Sequence, residues 1–459
     1  MKIYHNTPFD ALEIGMKATT ERLCVADDLY VFAHASGNRN PMHIPLEDGD
    51  GDGEPEALAP SSWVASLVSS VLGNQLPGPG TLYRGLNVRF LGHAQAGDTL
   101  TIGAQVTSLG PDRLARFAVW VDVGKRRICE GEAEVEAPAN KVSFEAGDIP
   151  GLTVQSHHNF DALTERAAPL PPIPTAVVAP EETNSLGGAI LGAEQTLITP
   201  ILIGNRAKIE AAAAELGKDI TAYELIDVPD HGAAAARAVA LVNEGRARAL
   251  MKGYLHTDEL LRPVLARDTG LRTGRRLSHI FVMDVPGVDH LIMVTDAAIN
   301  IAPDLETKVD ITQNAIDLAL ALGIDQPKVG ILSAVETVTP KIPSTIDAAV
   351  LSKMSERGQI KGGVVDGPLA MDNAVNLSAA RTKGLKSLVA GRAEILVAPN
   401  MEAGNMVAKE LTFLAHAEAG GIVIGARCPI ILTSRADDDD ARLASCAIAA
   451  LYAERGAKV

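Results

Sequence analysis

Two unlike segments are predicted for this chain: an α+β segment over residues 1–145, then an α/β segment with a mainly parallel sheet over 175–459. Three observations predict this. The first segment has one clear helical stretch followed by a run of alternating strands. The second alternates short apolar runs with helical patterns. Between them, residues 146–174 are rich in Pro, Gly and polar side chains, hold neither a 2-residue nor a 3.6-residue period, and read as a linker. A length of 459 residues also suits two or three domains better than one.

In chain order, "ALAPSSWVASLVSSVLGNQL" carries the helical period and stops at "LPGPG". "TLYRGLNVRFLGH", "TLTIGAQVTSL", "RLARFAVWVDV" and "RRICEGEAEVEA" then alternate apolar and polar positions, with turns such as "GPDR" between them. An antiparallel sheet packed on the helix is expected. Beyond the linker, "TAVVAP", "ALMKG", "IFVMDV", "LIMVTD", "KVGILSA", "EILVAP", "GIVIGA" and "PIILTS" read as buried strands. The helical patterns include "NRAKIEAAAAELG", "VDITQNAIDLALALG", "NMVAKELTFLAHAEAG" and "DDDARLASCAIAALYAER". In such a fold, ligands are sought at the carboxyl ends of the strands.

Composition excludes several classes. A formal charge of -16 repels phosphate backbones, and 3% aromatic residues leave few platforms for stacked bases, so nucleic acid is not an expected partner. No apolar run approaches the ~18 residues of a membrane span, and the first 15 residues lack a leader's apolar core, so no membrane association is expected. The four cysteines stand far apart without a CxxC pair, which suits reduced thiols in a cytoplasm. The run "EDGDGDGEPEAL" places Asp48, Asp50, Asp52 and Gly53 as a calcium loop would. Its twelfth position is Ala59 instead of a bidentate carboxylate, so a solvated loop is expected and no metal site.

Three stretches carry chemistry. "ILTSRADDDDARLAS" delivers Ser434 and Arg435 from a strand into the first turn of a helix, where free N–H groups favour an anion and a guanidinium fork matches phosphate oxygens. The plainer alternative is a helix cap made by the aspartates. "ALMKGYLHTDELLRPVL" sets Lys252 after a strand and Arg262 on the next helix, and "DTGLRTGRRLSH" adds Arg272 and Arg275. In so acidic a chain these cations point to a polyanionic ligand, or else to solvated helix faces. "VFAHASGNRNPMHIP" sets His43 in a polar, turn-forming cluster five residues after Asn38.

The motifs "LMKG", "GLRTGRRLSH", "DAAINIAPDLETK", "DGPLAMDNA", "VAPNMEAGNMVAKEL" and "CPIILTSRADDDDA" resemble, in order and spacing, the phosphate acetyl- and butyryltransferases, with "NMEAGN" and "LTSRAD" closer to the butyryl branch. The resemblance implies an isocitrate-dehydrogenase-like α/β fold. It implies reversible acyl transfer between coenzyme A and phosphate through a ternary complex, with acyl-CoA, phosphate and acyl phosphate as partners and no permanently bound cofactor. Ser434 and Arg435 match the family's serine–arginine pair, and Arg262 falls where a second phosphate-binding arginine is expected. Asp296, Asn300, Asn400 and Asn405 occupy cleft positions. The family's base aspartate falls at Ala441, so Asp440 or Asp439 is expected to stand in for it.

Residues 10–140 resemble the MaoC-like hydratases of the hot-dog fold, through "FAHASGNRNPMH" and "LPGPGTLYRGLNVRFLGHAQAGDTL". In that family an aspartate and a histidine five residues apart activate water for addition to an enoyl-CoA. His43 stands at the histidine position and Asn38 at the aspartate position. An amide has no basic form at neutral pH, so His43 alone is left as base. "APSS", with Ser61 and Ser62, also replaces the family's glycine-bearing turn. The resulting expectation is a transferase fused to a module that binds acyl-CoA or assembles a homo-oligomer. The alternatives are a bifunctional hydratase–transferase and a non-catalytic acyl-CoA sensor.

Overall fold

The computed structural model describes residues 3–145, 158–432 and 439–456. The chain divides near residue 154 into two compact units.

The first unit comprises β1 (Ile3–His5), β2 (Lys17–Leu23), α1 (Ala26–Ser36), α2 (Ser61–Ser66), α3 (Val68–Asn74), β3 (Leu82–Phe90), β4 (Thr99–Leu109), β5 (Leu114–Val123), β6 (Arg126–Glu136) and β7 (Ser143–Glu145). Five strands form an antiparallel sheet in the order β2-β4-β5-β6-β3. The expected helix is there as α2 and α3, joined through Leu67 in right-handed helical conformation. Trp63, Val64, Val68, Val71 and Leu72 bury one side of it among Leu100, Ile102, Phe117, Val119 and Val135 of the strands. At about 25 cal/mol per Å² of apolar surface removed from water, this shared face is what holds helix to sheet. Strand β2 and helix α1 were not read from the sequence. Each offers a weak pattern, with "KATTERL" mostly polar and "ADDLYVFAHAS" burying only Leu29 and Ala33.

The second unit begins within the stretch read as a linker. Helix α4 (His158–Ala167) lies there, and β8 starts at Ile173. Phe160 and Leu163 enter the second unit's main core. Asp284, 1% exposed, accepts the Phe160 N–H at 2.9 Å and the Asn159 side-chain amide at 2.8 Å. Residues 158–174 are therefore part of a folded unit. Their polar composition hid a helix that buries only a narrow stripe.

The other elements are β8 (Ile173–Val178), α5 (Thr183–Glu194), β9 (Ile198–Gly204), α6 (Arg206–Leu216), β10 (Glu224–Asp227), α7 (His231–Asn243), β11 (Ala249–Lys252), α8 (Thr257–Val264), β12 (Ser278–Asp284), β13 (Ile292–Thr295), α9 (Leu305–Ala321), β14 (Lys328–Leu332), α10 (Pro343–Glu356), β15 (Val364–Leu369), α11 (Met371–Val375), α12 (Leu377–Thr382), β16 (Ile395–Val397), α13 (Met401–Leu414), β17 (Glu418–Ile424), β18 (Ile430–Ile431) and α14 (Asp439–Gly456). Helices cover both faces of one sheet. Val177 packs toward α5 and α14, while its neighbours Ala176 and Val178 pack toward α7 and α8.

The strand order is β10-β9-β8-β11-β18-β17-β12-β13-β16-β14-β15. Seven of the ten pairings are parallel, but the three around β17 and β12 are antiparallel. The two parallel blocks therefore run in opposite directions. Strands β8 to β11 and β18 end at one edge of the sheet, and β13 to β16 end at the other. A single row of carboxyl ends, as the sequence reading assumed, does not exist here.

If α4 is part of this unit, Phe160→Ala lowers the unit's stability by about 3–5 kcal/mol, the usual cost of emptying a phenylalanine site in a core. Urea unfolding of the full chain checks this, and an unchanged midpoint would return 158–167 to the role of a connector.

Candidate functional site

At the edge where β13 and β16 end and β12 begins, one buried carboxylate organises the surroundings. Asp296 is 2% exposed. It accepts from the backbone N–H groups of Ala298 (3.0 Å), Ile299 (3.1 Å), Asn300 (3.0 Å) and His279 (3.3 Å), and from the Asn300 amide at 2.5 Å. The Asn300 amide also donates to the Leu277 carbonyl at 2.8 Å. Asp and Asn at this spacing thus close a turn and tie it to the start of β12. Helix α13 docks on the same turn. Asn400 caps it by accepting from Ala403 N–H at 2.9 Å, and Asn405 donates to the Ala297 carbonyl at 3.1 Å. Gly404 lies where a Cβ would stand 2.4 Å from the Asp296 carbonyl oxygen, so only glycine permits this approach.

Beside this turn is a cavity of about 360 Å³ lined by Arg272, Arg275, Arg276 and Asn300, with Val264, Leu265 and Ile299 as its apolar part. Arg275 is paired with Asp317, and Arg276 with Asp304 and Thr307. Among the described residues no carboxylate lies within ion-pair distance of Arg272. It is the cation here with its charge uncommitted, and a half-apolar cavity with three guanidinium groups suits an anion carrying an apolar body.

His279, 1% exposed, was not singled out by sequence reasoning, although it closes the quoted motif "GLRTGRRLSH". Its ring meets Phe281 edge-on at 4.4 Å, and its Nδ1 has no partner among the described residues. Burial pushes its pKa down to about 4, against the opposing pull of Asp296. The ring is neutral at pH 7.

At the opposite edge, Lys252 ends β11, one register step beyond the Met251–Ile431 pair and so level with Leu432. Gly253 follows with its backbone against β8, where a Cβ would fall 2.3 Å from the Val178 carbonyl. Nearby, Glu181 has a side chain only 1% exposed. It accepts from Asn205 N–H (3.0 Å), Lys208 (2.9 Å) and His231 (3.2 Å). Burial disfavours its charge, but these donors outweigh that and hold its pKa below the ordinary carboxylate value. Arg262 is exposed on α8, 3.6 Å from Asp258. Ser434 and Arg435 lie outside the described residues. Asp440 is exposed in the first turn of α14, and Ala441, at the family's base position, is buried. The structure thus gathers Arg272, Arg275, Asp296, Asn300, Asn400 and Asn405, and sets Lys252 at the other edge.

In the first unit, His43 ends a short 3-10 turn, Pro41–His43, capped by Asn40. Its Nδ1 lies 2.9 Å from the Leu58 carbonyl, which can only accept, so Nδ1 carries a proton, and in the neutral ring the lone pair is on Nε2. The Asn38 carbonyl accepts from Asn40 N–H at 3.2 Å. A cavity of about 490 Å³ opens beside this turn between Tyr30, His34, Arg39 and Glu47. The carboxylates of Asp48, Asp50, Asp52 and Glu56 gather within 4.8 Å. Each also accepts backbone N–H groups of its own loop, such as Gly51 on Asp48 at 2.6 Å and Gly49 on Glu56 at 2.7 Å.

Residues 231–450 match the model of the family described as phosphate acetyl/butaryl transferase. The chain is 62% identical over 296 residues to the phosphate acetyltransferase of Rhizobium meliloti, covering 64% of this chain and 94% of that protein. The chain belongs to the phosphate acetyl/butaryl transferase family. The phosphate butyryltransferase of Clostridium beijerinckii is 43% identical, over 65% of this chain and 98% of its own length. A branched-chain phosphotransacylase from Enterococcus faecalis V583 superposes with a TM-score of 0.54 at 29% identity, covering 61% of this chain and 99% of that one. The carboxy-terminal part thus has a phosphotransacylase-like fold. Among the described residues, no helix of this family member is long and apolar enough to cross a membrane.

Because the folded state keeps His279 neutral, its contribution to stability is complete above pH 6.5 and is lost as the pH falls toward about 4. Urea midpoints across that range should fall for the wild type and fall less steeply for His279→Leu. Parallel profiles would show that His279 is not the group responsible.

Proposed function

We propose that the second unit catalyses reversible transfer of a short acyl group between coenzyme A and inorganic phosphate: acyl-CoA + phosphate = acyl phosphate + CoA. What carries this reading is the meeting of family membership with an arginine-lined cavity in a chain of formal charge -16. Coenzyme A and phosphate serve as substrates, with no permanently bound cofactor, and the enzyme is assigned to the cytoplasm.

In the forward direction a phosphate oxygen attacks the thioester carbonyl carbon, a tetrahedral oxyanion forms, and the C–S bond breaks to release the thiolate, which takes up a proton. Arg435 forks onto the phosphate and holds its charge at attacking distance. The Ser434 hydroxyl donates to the developing oxyanion. Asp440, exposed on the first turn of α14, takes the thiol proton in the reverse direction. Arg272 and Arg275 receive the phosphate groups of coenzyme A beside Asn300, whose amide hydrogens are spent on Asp296 and the Leu277 carbonyl, while Arg262 and, from the other edge of the sheet, Lys252 add charge. Asp296, Asn400 and Asn405 act through the turn they hold rather than by touching substrate.

The first unit, residues 1–145, is read as a hot-dog domain that binds acyl-CoA or assembles a homo-oligomer. A second reading, hydration of an enoyl-CoA in that domain, is favoured by one observation: the Leu58 carbonyl fixes His43 with Nε2 as a free base. Against it stands Asn38, which has no basic form.

With acetyl-CoA, thiol release should require phosphate, and Arg435→Ala should lower kcat/KM on the order of 10²-fold or more. Undiminished phosphorolysis in that variant would remove Arg435 from the site. With crotonyl-CoA and no phosphate, the hydratase reading expects loss of the conjugated double bond, raised on the order of 10²-fold or more in Asn38→Asp. No gain in that variant counts against the reading.

A further inference from the structure

Among the described residues, Arg442 of α14 is a cation with little to satisfy it. Its side chain is 5% exposed, and its one ion pair is with Asp439, 3.6 Å away and itself 77% exposed. Among the described residues its guanidinium makes no hydrogen bond. The fold makes room for it deliberately: at Gly188 of α5 a Cβ would stand 2.5 Å from Arg442 Cδ. A buried guanidinium needs several partners for its five donors. Among the described residues, one remote carboxylate at the surface does not supply them.

The guanidinium borders a cavity of about 300 Å³, whose apolar side is Ile190, Leu191 and Leu216 and whose polar side includes Thr183 in the first turn of α5. Glu182, at the cap of that helix, makes no side-chain capping bond, so first-turn N–H groups add to the anion preference. At the rim Lys218 and Glu194 pair at 2.6 Å. Among the described residues, two cations and two carboxylates thus bound the space. A dianion would leave it with excess negative charge, whereas a monoanion replacing Asp439 on Arg442 leaves the balance as it is.

We propose that this cavity binds a short aliphatic monocarboxylate, its carboxylate on the Arg442 fork and its chain against Ile190, Leu191 and Leu216. Asp439 occupies the guanidinium loosely when the site is empty and yields to the ligand, which makes two parallel N–H···O bonds in its place. The inference goes beyond the acyl-transfer reading and does not rest on it, because binding is measured without turnover.

Calorimetric titration of the full chain with butyrate tests it. The wild type should bind saturably at one site, and Asp439→Asn, lacking the internal competitor, about two- to fivefold more tightly. At Gly187 a Cβ would meet only Leu216, at 3.8 Å, so the backbone there accepts a side chain and Gly187→Met extends one into the cavity. That variant should keep its circular dichroism spectrum and lose butyrate binding. Arg435→Ala should retain it. Binding that survives Gly187→Met, vanishes in Arg435→Ala, or is displaced by equimolar inorganic phosphate overturns the proposal, as does the absence of saturable binding in the wild type.

Discussion

The second unit depends on keeping one carboxylate charged inside protein. Removing a carboxylate from water costs several kcal/mol even after relaxation. Each hydrogen bond to a charged group returns roughly 1.5–3 kcal/mol. Asp296 collects four backbone donors and the Asn300 amide, enough to offset the cost only if the turn 296–300 keeps its shape. The dependence is mutual. The turn exists because the carboxylate gathers its N–H groups, and the carboxylate is tolerated because the turn supplies them. Gly404 and Asn405 of α13 then dock on that turn, and Asn300 anchors it to Leu277 beside the arginines. The cavity wall is a consequence of that bonding.

The reversal of strand direction at β17 and β12 decides where charge can gather. In a uniformly parallel sheet, the loops after β11, β13, β16 and β18 would converge on one rim. Here the antiparallel pair sends two of those loops to each edge. The arginine cavity belongs to the edge where β12 begins, and Lys252 with Leu432 belongs to the other. In an acidic chain, the three arginines at one edge make a region of local positive potential within a repelling field. It selects for anions small enough to be held by neighbours at contact distance.

Much of this fold was legible because buried strands advertise themselves. Runs such as "TAVVAP" and "EILVAP" have no polar face to confuse the period. In the second unit, the strands that escaped, β9 in "ITPILIG", β10 in "ELID" and β15 in "VVDGPL", each contain a proline or acidic residues that imitate a turn. Helix α4 escaped because its burial rests on Phe160 and Leu163 amid polar neighbours. The site was legible as motifs and illegible as roles. From spacing alone, Asp296, Asn300, Asn400 and Asn405 look like ligand-lining residues. The hydrogen bonds show that each also commits a polar atom to a turn, a strand or a cap. Sequence cannot distinguish a side chain facing a ligand from one that satisfies the backbone which positions it.

Two histidines show how far environment, rather than residue type, sets chemistry in this chain. His279 is sealed in the core, its Nδ1 unpartnered among the described residues and its charge suppressed by burial, so near neutral pH it neither gives nor takes a proton. What it supplies is shape, filling the space against Phe281 that Gly421 leaves open, where a Cβ would sit 3.2 Å from Nε2. His43 is half-buried and fixed through one nitrogen by the Leu58 carbonyl, which settles its tautomer and leaves the other nitrogen with a lone pair. That arrangement is what a base requires. Its neighbour Asn38 withholds the second half, because its carbonyl is engaged by Asn40 and its amide cannot ionise. The first unit thus holds an imidazole oriented through one nitrogen beside an amide that cannot ionise.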